Sequence, residues 1–400
     1  MSDVTIDYEA IDSLVHQVLL VEDRTLGSQK LGYVVRYRGK LRSEDSESLY
    51  DQLVNGLKPF QITPLFRWDE GRHAILLVPG QPDPKAGRPW LNLVMFILTL
   101  LSVLLTGGMY GYDGDLPGNI LQAGWIFISR GWPFAVSMLA ILAAHEFGHY
   151  LVGRKHGVNV SLPFFIPLPF SLFGTMGAFI NMKSVPKNRK VLLDVGVAGP
   201  LAGMVVALPV LILGLSLSTL DALPANPPAG MMYQIEGNSL LYLLLKFVTF
   251  GQLLPAPETY GALGPGLYWV RYFFTGQPLP MGGLDVLLHP VAWAGWAGLL
   301  VTSLNLIPAG QLDGGHIMYV LFGRKTMQRI WPVVLIGLGL LGLVWMGWFL
   351  WAALIFFLGR VYAEPLDTIT PLDEKRKWLG RLALLVFVLT FTPVPLIFVQ

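Results

Sequence analysis

Seven apolar runs dominate this chain, at about residues 91–108, 132–154, 190–217, 286–307, 327–345, 347–362 and 378–396. Each is near the roughly 20 residues an α-helix needs to cross the hydrocarbon core of a bilayer. Lipid offers no hydrogen-bond partners, so a segment in that core must satisfy its own backbone, and a helix does so. The fifth and sixth runs meet at a tight turn near Met346-Gly347. A shorter apolar stretch, 239–250, reads equally well as an interfacial helix or a partial span. The chain is therefore expected to be an α-helical polytopic membrane protein with about 7–8 spans. Composition agrees: 53% of residues are hydrophobic and 14% charged, where soluble domains carry about 25% charged residues. Cysteine is absent, which excludes a disulfide framework, a thiolate metal site and a cysteine nucleophile.

Residues 1–80 have a different texture. Ile11, Leu14, Val15, Val18 and Leu19 share one helical face, 32–40 is strand-like, and 43–57 reads as a second helix. Two short strands, 62–68 and 73–78, are joined by the turn Asp69-Glu70-Gly71. This predicts a small N-terminal soluble α+β domain over 1–80, a Pro/Gly linker over 81–89 and a membrane-embedded domain over 90–400. The first domain shows no site, so regulation or the docking of a partner is its expected role. Met1 to Leu20 contains acids and no long apolar core, so no signal peptide is expected there.

Lys and Arg gather in particular loops. Segments 154–190, 324–329 and 360–381 hold fourteen of them, while 109–131 and 218–283 hold three. The positive-inside rule puts the first set in the cytoplasm, with the N-terminal domain on the same side. The inner membrane of a bacterial cell is the expected location, and the lipid bilayer an expected partner. Because the net charge of +2 reflects topology, no nucleic-acid partner is expected.

The chemistry is concentrated in Ala144-His145-Glu146-Phe147-Gly148-His149, at the end of the second run. Histidines four apart lie on one face of a helix and can share one Zn²⁺, and Glu146 can reach a water on that metal. A hydrolytic zinc site needs a third protein ligand. The first, fifth, sixth and seventh runs have no Asp, Glu or His in their apolar cores, and the third has only Asp194 near its start. The fourth leads into Asn305-Leu306-Ile307-Pro308-Ala309-Gly310-Gln311-Leu312-Asp313-Gly314-Gly315-His316. Asp313 is the preferred third ligand, with His316 the rival one turn along. Gly314 and Gly315 would let another helix approach, and Pro308 and Gly310 would break the helix at the site. With such a set, Glu146 would act as general base and then donate the proton to the leaving amine. Asn305 would donate a hydrogen bond to the developing oxyanion or to substrate backbone, or else bond to a neighbouring helix.

Between the second and third runs lies a stretch, 163–180, with three prolines that rule out a continuous helix. Gly174 and Gly177 suggest a turn between extended arms, a re-entrant β-hairpin beside the site. A transmembrane substrate must unwind before hydrolysis, and a strand edge could hold it by β-addition. Gly174, Thr175, Gly177, Ala178 and Phe179, with Asn305, are the candidate substrate-binding residues. A structural plug is the plainer reading of the hairpin. Asp194 reads as a solvated cap, His156 as a headgroup contact, and Tyr268, Trp269, Tyr272, Phe273 and Phe274 as an aromatic belt. A metal transporter would need ionisable groups staged across several spans, which most spans here lack. A catalytically silent membrane scaffold is the other alternative.

The pairing of His145-Glu146-x-x-His149 with Asn305-x-x-Pro308-x-x-x-x-Asp313-Gly314 resembles the site-2 protease family of intramembrane zinc metalloproteases. Ala198-Gly199-Pro200 is also similar to that family's pattern. The strings FSLFGTMGAFI, HPVAWAGWAGLL and NLIPAGQLDGGH resemble its cyanobacterial and chloroplast branch, the ethylene-dependent gravitropism-deficient and yellow-green proteins. The resemblance covers about residues 90–400. It implies one zinc per chain held by His145, His149 and Asp313, Glu146 as acid/base, and membrane-spanning protein substrates cut in or near the bilayer. Members often carry Asn two residues after Ala-Gly-Pro, where this chain has Leu201-Ala202-Gly203. No stretch of about 90 soluble residues separates the catalytic runs, so the PDZ insert of some relatives is not expected. Nor is a nucleotide-sensing CBS tail. The N-terminal domain is the expected substitute.

Overall fold

The computed structural model describes residues 7–28, 32–80, 87–112, 114, 117–225, 233–359 and 363–399. Residues 81–86 of the expected linker, and Arg360 of the charge count, lie outside the described residues.

The N-terminal unit is α+β. Helix α1 (Tyr8–Val18) runs directly into strand β1 (Leu19–Leu26), followed by β2 (Val35–Leu41), α2 (Ser46–Leu57), β3 (Ile62–Asp69) and β4 (Arg72–Pro79). Asp7 and Asp45 cap the two helices by accepting from Ala10 N and Ser48 N, which satisfies first-turn donors that have no partner inside the helix. The strands form one antiparallel sheet in the order β1-β2-β4-β3. Along β2, Val35, Tyr37 and Leu41 point inward, and along β3 Ile62 and Phe66 do so, the period-2 pattern of a sheet with one covered face. The covering layer is Ile11, Val15 and Val18 of α1 with Leu49, Leu53 and Leu57 of α2. The β3–β4 turn places both Glu70 and Gly71 at positive φ, the twist a two-residue hairpin requires. The sequence reading missed β1, because its alternation LLVEDRTL starts on residues that also continue the α1 face.

Beyond it lie α3 (Pro89–Tyr110), α4 (Ile120–Lys155), β5 (Phe164–Pro167), β6 (Thr175–Phe179), α5 (Arg189–Ser216), β7 (Thr219–Ala222), β8 (Tyr233–Glu236), α6 (Leu240–Phe250), α7 (Gly264–Thr275), β9 (Leu284–Leu287), α8 (Pro290–Asn305), α9 (Asp313–Gly342), α10 (Gly347–Leu358), α11 (Glu374–Thr390) and β10 (Leu396–Val399). Among the described residues, α3, α4 and α5 are long and apolar enough to cross a membrane. Leu93, Ile97 and Leu101 of α3, four apart, are exposed, an outward apolar stripe suited to lipid.

Several expected boundaries move. Helix α4 begins twelve residues before the predicted run, at Ile120. Its first turns mix Gln122, Ser129 and Arg130 with apolar residues, which hides them from a hydropathy reading. The fourth run yields only the 16 residues of α8, because Leu284–Leu287 pairs instead with Thr219–Ala222. The last run stops at Thr390, and Leu396–Val399 pairs with Tyr233–Glu236. In α9, Gly323 leaves helical geometry (φ 79, ψ 171) and kinks the helix. Tyr268 and Tyr272 of the supposed aromatic belt are buried within the fold.

Helices in lipid gain little from burying apolar surface against each other, so close approach has to come from small residues. A methyl group at Gly131 of α4 would sit 2.2 Å from the Leu104 carbonyl oxygen of α3. The core between α4, α5 and α8 is filled by Phe134, Met138, Leu142, Leu211 and Trp296, and the Trp296 indole donates to the Gly237 carbonyl at 2.8 Å.

Candidate metal centre

His145 and His149 project from the last turns of α4, with their Nε2 atoms 3.2 Å apart. Asp313 is the first residue of α9, and its Oδ2 lies 3.3 Å from each of those nitrogens. Among the described residues this is the group of side chains whose donor atoms converge as metal ligands do. Both histidines are buried. His316, the rival ligand, is buried one turn along against Gly196 and does not join the group.

The spacing can be tested against an ion. Tetrahedral zinc at about 2.0–2.1 Å from its ligands sets neighbouring donors about 3.3 Å apart. The three separations of 3.2, 3.3 and 3.3 Å match the edges of such a tetrahedron. The tautomer also fits. His149 Nδ1 is 2.7 Å from the Val195 carbonyl oxygen, which can only accept, so Nδ1 carries the proton and Nε2 offers its lone pair inward.

Local sequence explains how the groups meet. Helix α8 ends at Asn305, and residues 306–312 turn through Gly310 at φ 55 before α9 starts. A methyl group at Gly314 would lie 1.9 Å from the Leu306 carbonyl oxygen, and one at Gly315 2.3 Å from that of Gly310. The expected role of these glycines is thus corrected. They admit the preceding turn of their own chain, not another helix. Asp313 sits where unpaired helix N–H groups favour a carboxylate. Asn305 Nδ2 is 3.3 Å from His145 Nε2, so this residue does reach the centre.

Glu146 is buried, about 100° round the helix from His145. The hairpin exists as β5 paired antiparallel with β6, Phe165 opposite Ala178 and Ile166 opposite Gly177. Its candidate residues divide in two. Gly174 (φ 70) accepts a hydrogen bond from the Ser102 hydroxyl of α3, and the Thr175 hydroxyl bonds to Ile166 O at 2.8 Å. Both are engaged in fixing the turn. Gly177, Ala178 and the exposed Phe179 lie along β6. A cavity of about 550 Å³ leads up to the centre, lined by His149, Asp313, Ile180, Lys183, Pro186 and Glu364 among others.

The motif sits inside a longer match: the profile of peptidase family M50 matches residues 133–343, more than half of the chain. The chain belongs to peptidase family M50. That M50 match includes His145, Glu146, His149, Asn305 and Asp313. The chain is 29% identical over 374 residues to the probable zinc metalloprotease EGY2, chloroplastic, of Arabidopsis thaliana, covering 91% of this chain and 61% of the relative. It is 32% identical over 269 residues to the probable zinc metalloprotease EGY1, chloroplastic, of Oryza sativa subsp. japonica, covering 63% of this chain and 41% of the relative. To the probable zinc metallopeptidase EGY3, chloroplastic, of Arabidopsis thaliana, it is 30% identical over 270 residues, 66% and 43% of the two chains. The chain spans about three fifths of the length of the EGY2 relatives it matches. No solved structure matches it.

Sequence reasoning missed the Val195 carbonyl, since a backbone group carries no residue signal. It also misread Asp194 and His156. Asp194 accepts a two-pronged hydrogen bond from Arg376 at 2.8 and 2.7 Å, and His156 Nε2 is 3.0 Å from the same carboxylate.

Proposed function

We propose that this chain is an intramembrane zinc metalloendopeptidase of the site-2 protease type, hydrolysing peptide bonds of membrane-spanning proteins. The observation that carries the reading is the tetrahedral spacing of His145 Nε2, His149 Nε2 and Asp313 Oδ2, with Glu146 beside them. His145, His149 and Asp313 would hold one zinc per chain, which would polarise the scissile carbonyl and acidify the attacking water. Glu146 takes the water's proton and passes it to the leaving amine. Asn305 donates its amide N–H to the carbonyl oxygen of the substrate as charge builds there.

The hairpin is read as re-entrant, with β6 presenting its free edge to an unwound substrate through Gly177, Ala178 and Phe179, while Gly174 and Thr175 fix the turn. Proline at Ala178 or Phe179 removes a backbone donor and is expected to impair cleavage of a membrane substrate while sparing zinc content. The membrane region is read as 7–8 spans in the inner membrane of a bacterium. The N-terminal unit is read as cytoplasmic, on the side of the basic loops, where it can dock a partner.

The deciding experiment pairs zinc content with cleavage of single-span substrates in wild type and Glu146→Gln. The variant is expected to keep zinc and lose cleavage. Retained cleavage would overturn the role of Glu146. Absence of cleavage in the zinc-loaded wild type across the panel would favour a silent scaffold.

A further inference from the structure

The outer edge of β3 has a further backbone partner. Phe66 N donates to Leu366 O at 3.0 Å, and Thr368 N donates to Phe66 O at 3.1 Å. Residues 366–368, which lead toward α11, thus meet β3 through one parallel bridge, Phe66 with Asp367. On their other side Leu366 N donates to Pro186 O at 3.0 Å and Asp367 N to Lys187 O at 2.8 Å. Two parallel bridges, Phe66 with Asp367 and Asp367 with Asn188, therefore link the N-terminal unit through 366–368 to 186–188.

Side chains close the same contact. Lys187 Nζ is 2.7 Å from Asp51, Lys190 Nζ is 2.8 Å from Glu47, and Asn188 Nδ2 donates to Glu47 at 3.0 Å. The Ser46 and Thr370 hydroxyls are 2.9 Å apart in the buried part of the contact.

What makes this more than a docked domain is where the bonded segments go next. Residues 180–186 line the cavity that reaches His149 and Asp313, and Ala363 and Glu364 are also in its lining. At its far end the first segment is continuous with β6, which ends at Phe179. Both lining segments are thus tied to one soluble unit through a few backbone bonds and partly exposed ion pairs. Bonds of that kind are individually modest, so the contact is suited to opening and closing.

We propose that the N-terminal unit is a latch on the mouth of this cavity. Docked, it holds segments 180–188 and 363–370 together and keeps the path to the metal centre narrow. Undocked, it lets them part and admits the extramembrane flank of a substrate. The effect on cleavage rests on the peptidase reading, while the effect on access to the metal centre does not.

The chain has no cysteine, so Asp51→Cys with Lys187→Cys places a single thiol pair across the contact. A short, reductant-cleavable linker between them should slow the removal of bound zinc by EDTA at least fivefold, and reductant should restore the rate. Independently, Glu47→Lys should speed removal at least fivefold, and adding Lys190→Glu should bring it back. Cleavage of a single-span substrate should follow the same order. Removal rates equal within twofold in linked, unlinked and charge-reversed proteins would overturn the latch. If those rates separate but zinc-loaded wild type cleaves nothing, the latch stands and the peptidase reading fails.

Discussion

Gly199 of α5 lies where His149 leaves no room for a side chain: a methyl group on its Cα would sit 2.0 Å from His149 Nε2. Four residues earlier on the same helix, the Val195 carbonyl holds the ring's other nitrogen. Helix α5 therefore supplies a slot that fixes both the tilt and the tautomer of a candidate ligand. Gly199→Ala forces the imidazole to swing, which the fold tolerates because a side-chain tip moves, but the ligand geometry does not. Zinc affinity is expected to fall by about 10–100-fold, the range seen when support around a ligand is lost, with the melting profile of the zinc-free protein little changed. Gly196→Ala, whose added methyl would make only ordinary contacts, with His316 Cβ at 3.5 Å, Ile317 Cγ1 at 3.8 Å and the Asp313 carbonyl oxygen at 4.0 Å, is the control and should keep its zinc. Equal affinity in the two variants would remove the slot from the account.

Asp313 and His316 compete on paper for the third ligand, and the structure separates them. Asp313→Ala is expected to leave purified protein with almost no zinc, as are His145→Ala and His149→Ala. His316→Ala is expected to retain about one zinc per chain. Metal content by mass spectrometry checks this directly, and loss of zinc in His316→Ala with retention in Asp313→Ala would reverse the assignment.

The candidate metal ligands were legible because four-residue spacing on a helix and scarcity of ionisable groups in apolar runs both leave a mark in the residues. His145 and His149 needed only helical periodicity. Asp313 was reached by elimination, and its glycines were noticed for the wrong contact, since sequence does not say whether a close neighbour is another helix or the turn before. The hairpin's existence followed from Pro163, Pro167 and Pro169, which cannot lie in one helix, but the anchoring of Gly174 on Ser102 of α3 could not be foreseen. What stayed hidden were contacts between distant polar residues. Asp194 and Arg376 are 182 positions apart, and nothing local in either predicts the other.

Glu236 gives the region around β8 a pH dependence of its own. Burial pushes its carboxyl up, nearby Asp285 adds to this, and Lys246 only partly offsets them, leaving it at about 7 against an ordinary 4.5. Tyr242 donates to it at 2.9 Å, and Lys246 Nζ is 3.6 Å away. A raised carboxylate holds its proton more tightly folded than unfolded. Its contribution is therefore most favourable below about pH 4.5, declines as pH rises through 7, and is constant above. Glu236→Gln, which keeps the Tyr242 bond and removes the titration, should gain stability over wild type progressively between those pH values. Thermal melts in detergent from pH 4.5 to 8 test this, and a wild-type-minus-variant difference that does not change with pH would count against it.

Arg376 ties α11 to α5. Its guanidinium spans both carboxylate oxygens of Asp194, which also faces His156, and it bonds to Asp373 as well. The Asp194 side chain is only 15% exposed, so the carboxylate has little water to replace a lost partner. Removing one side of such a charged hydrogen-bonded pair costs about 1.5–3 kcal/mol, and Arg376→Ala is expected to destabilise by that amount. Arg376→Lys keeps the charge but loses the planar fork, so it should recover only part of the loss. Asp194 also directly precedes Val195, whose carbonyl orients His149. Loosening this turn should therefore register at the metal centre, as faster zinc release in Arg376→Ala than in Arg381→Ala, a neighbouring cation that stacks on Trp378. A double-mutant cycle with Asp194→Ala measures the pair directly. Coupling below about 0.5 kcal/mol, the range of independent sites, would mean that α11 is held by its apolar face alone.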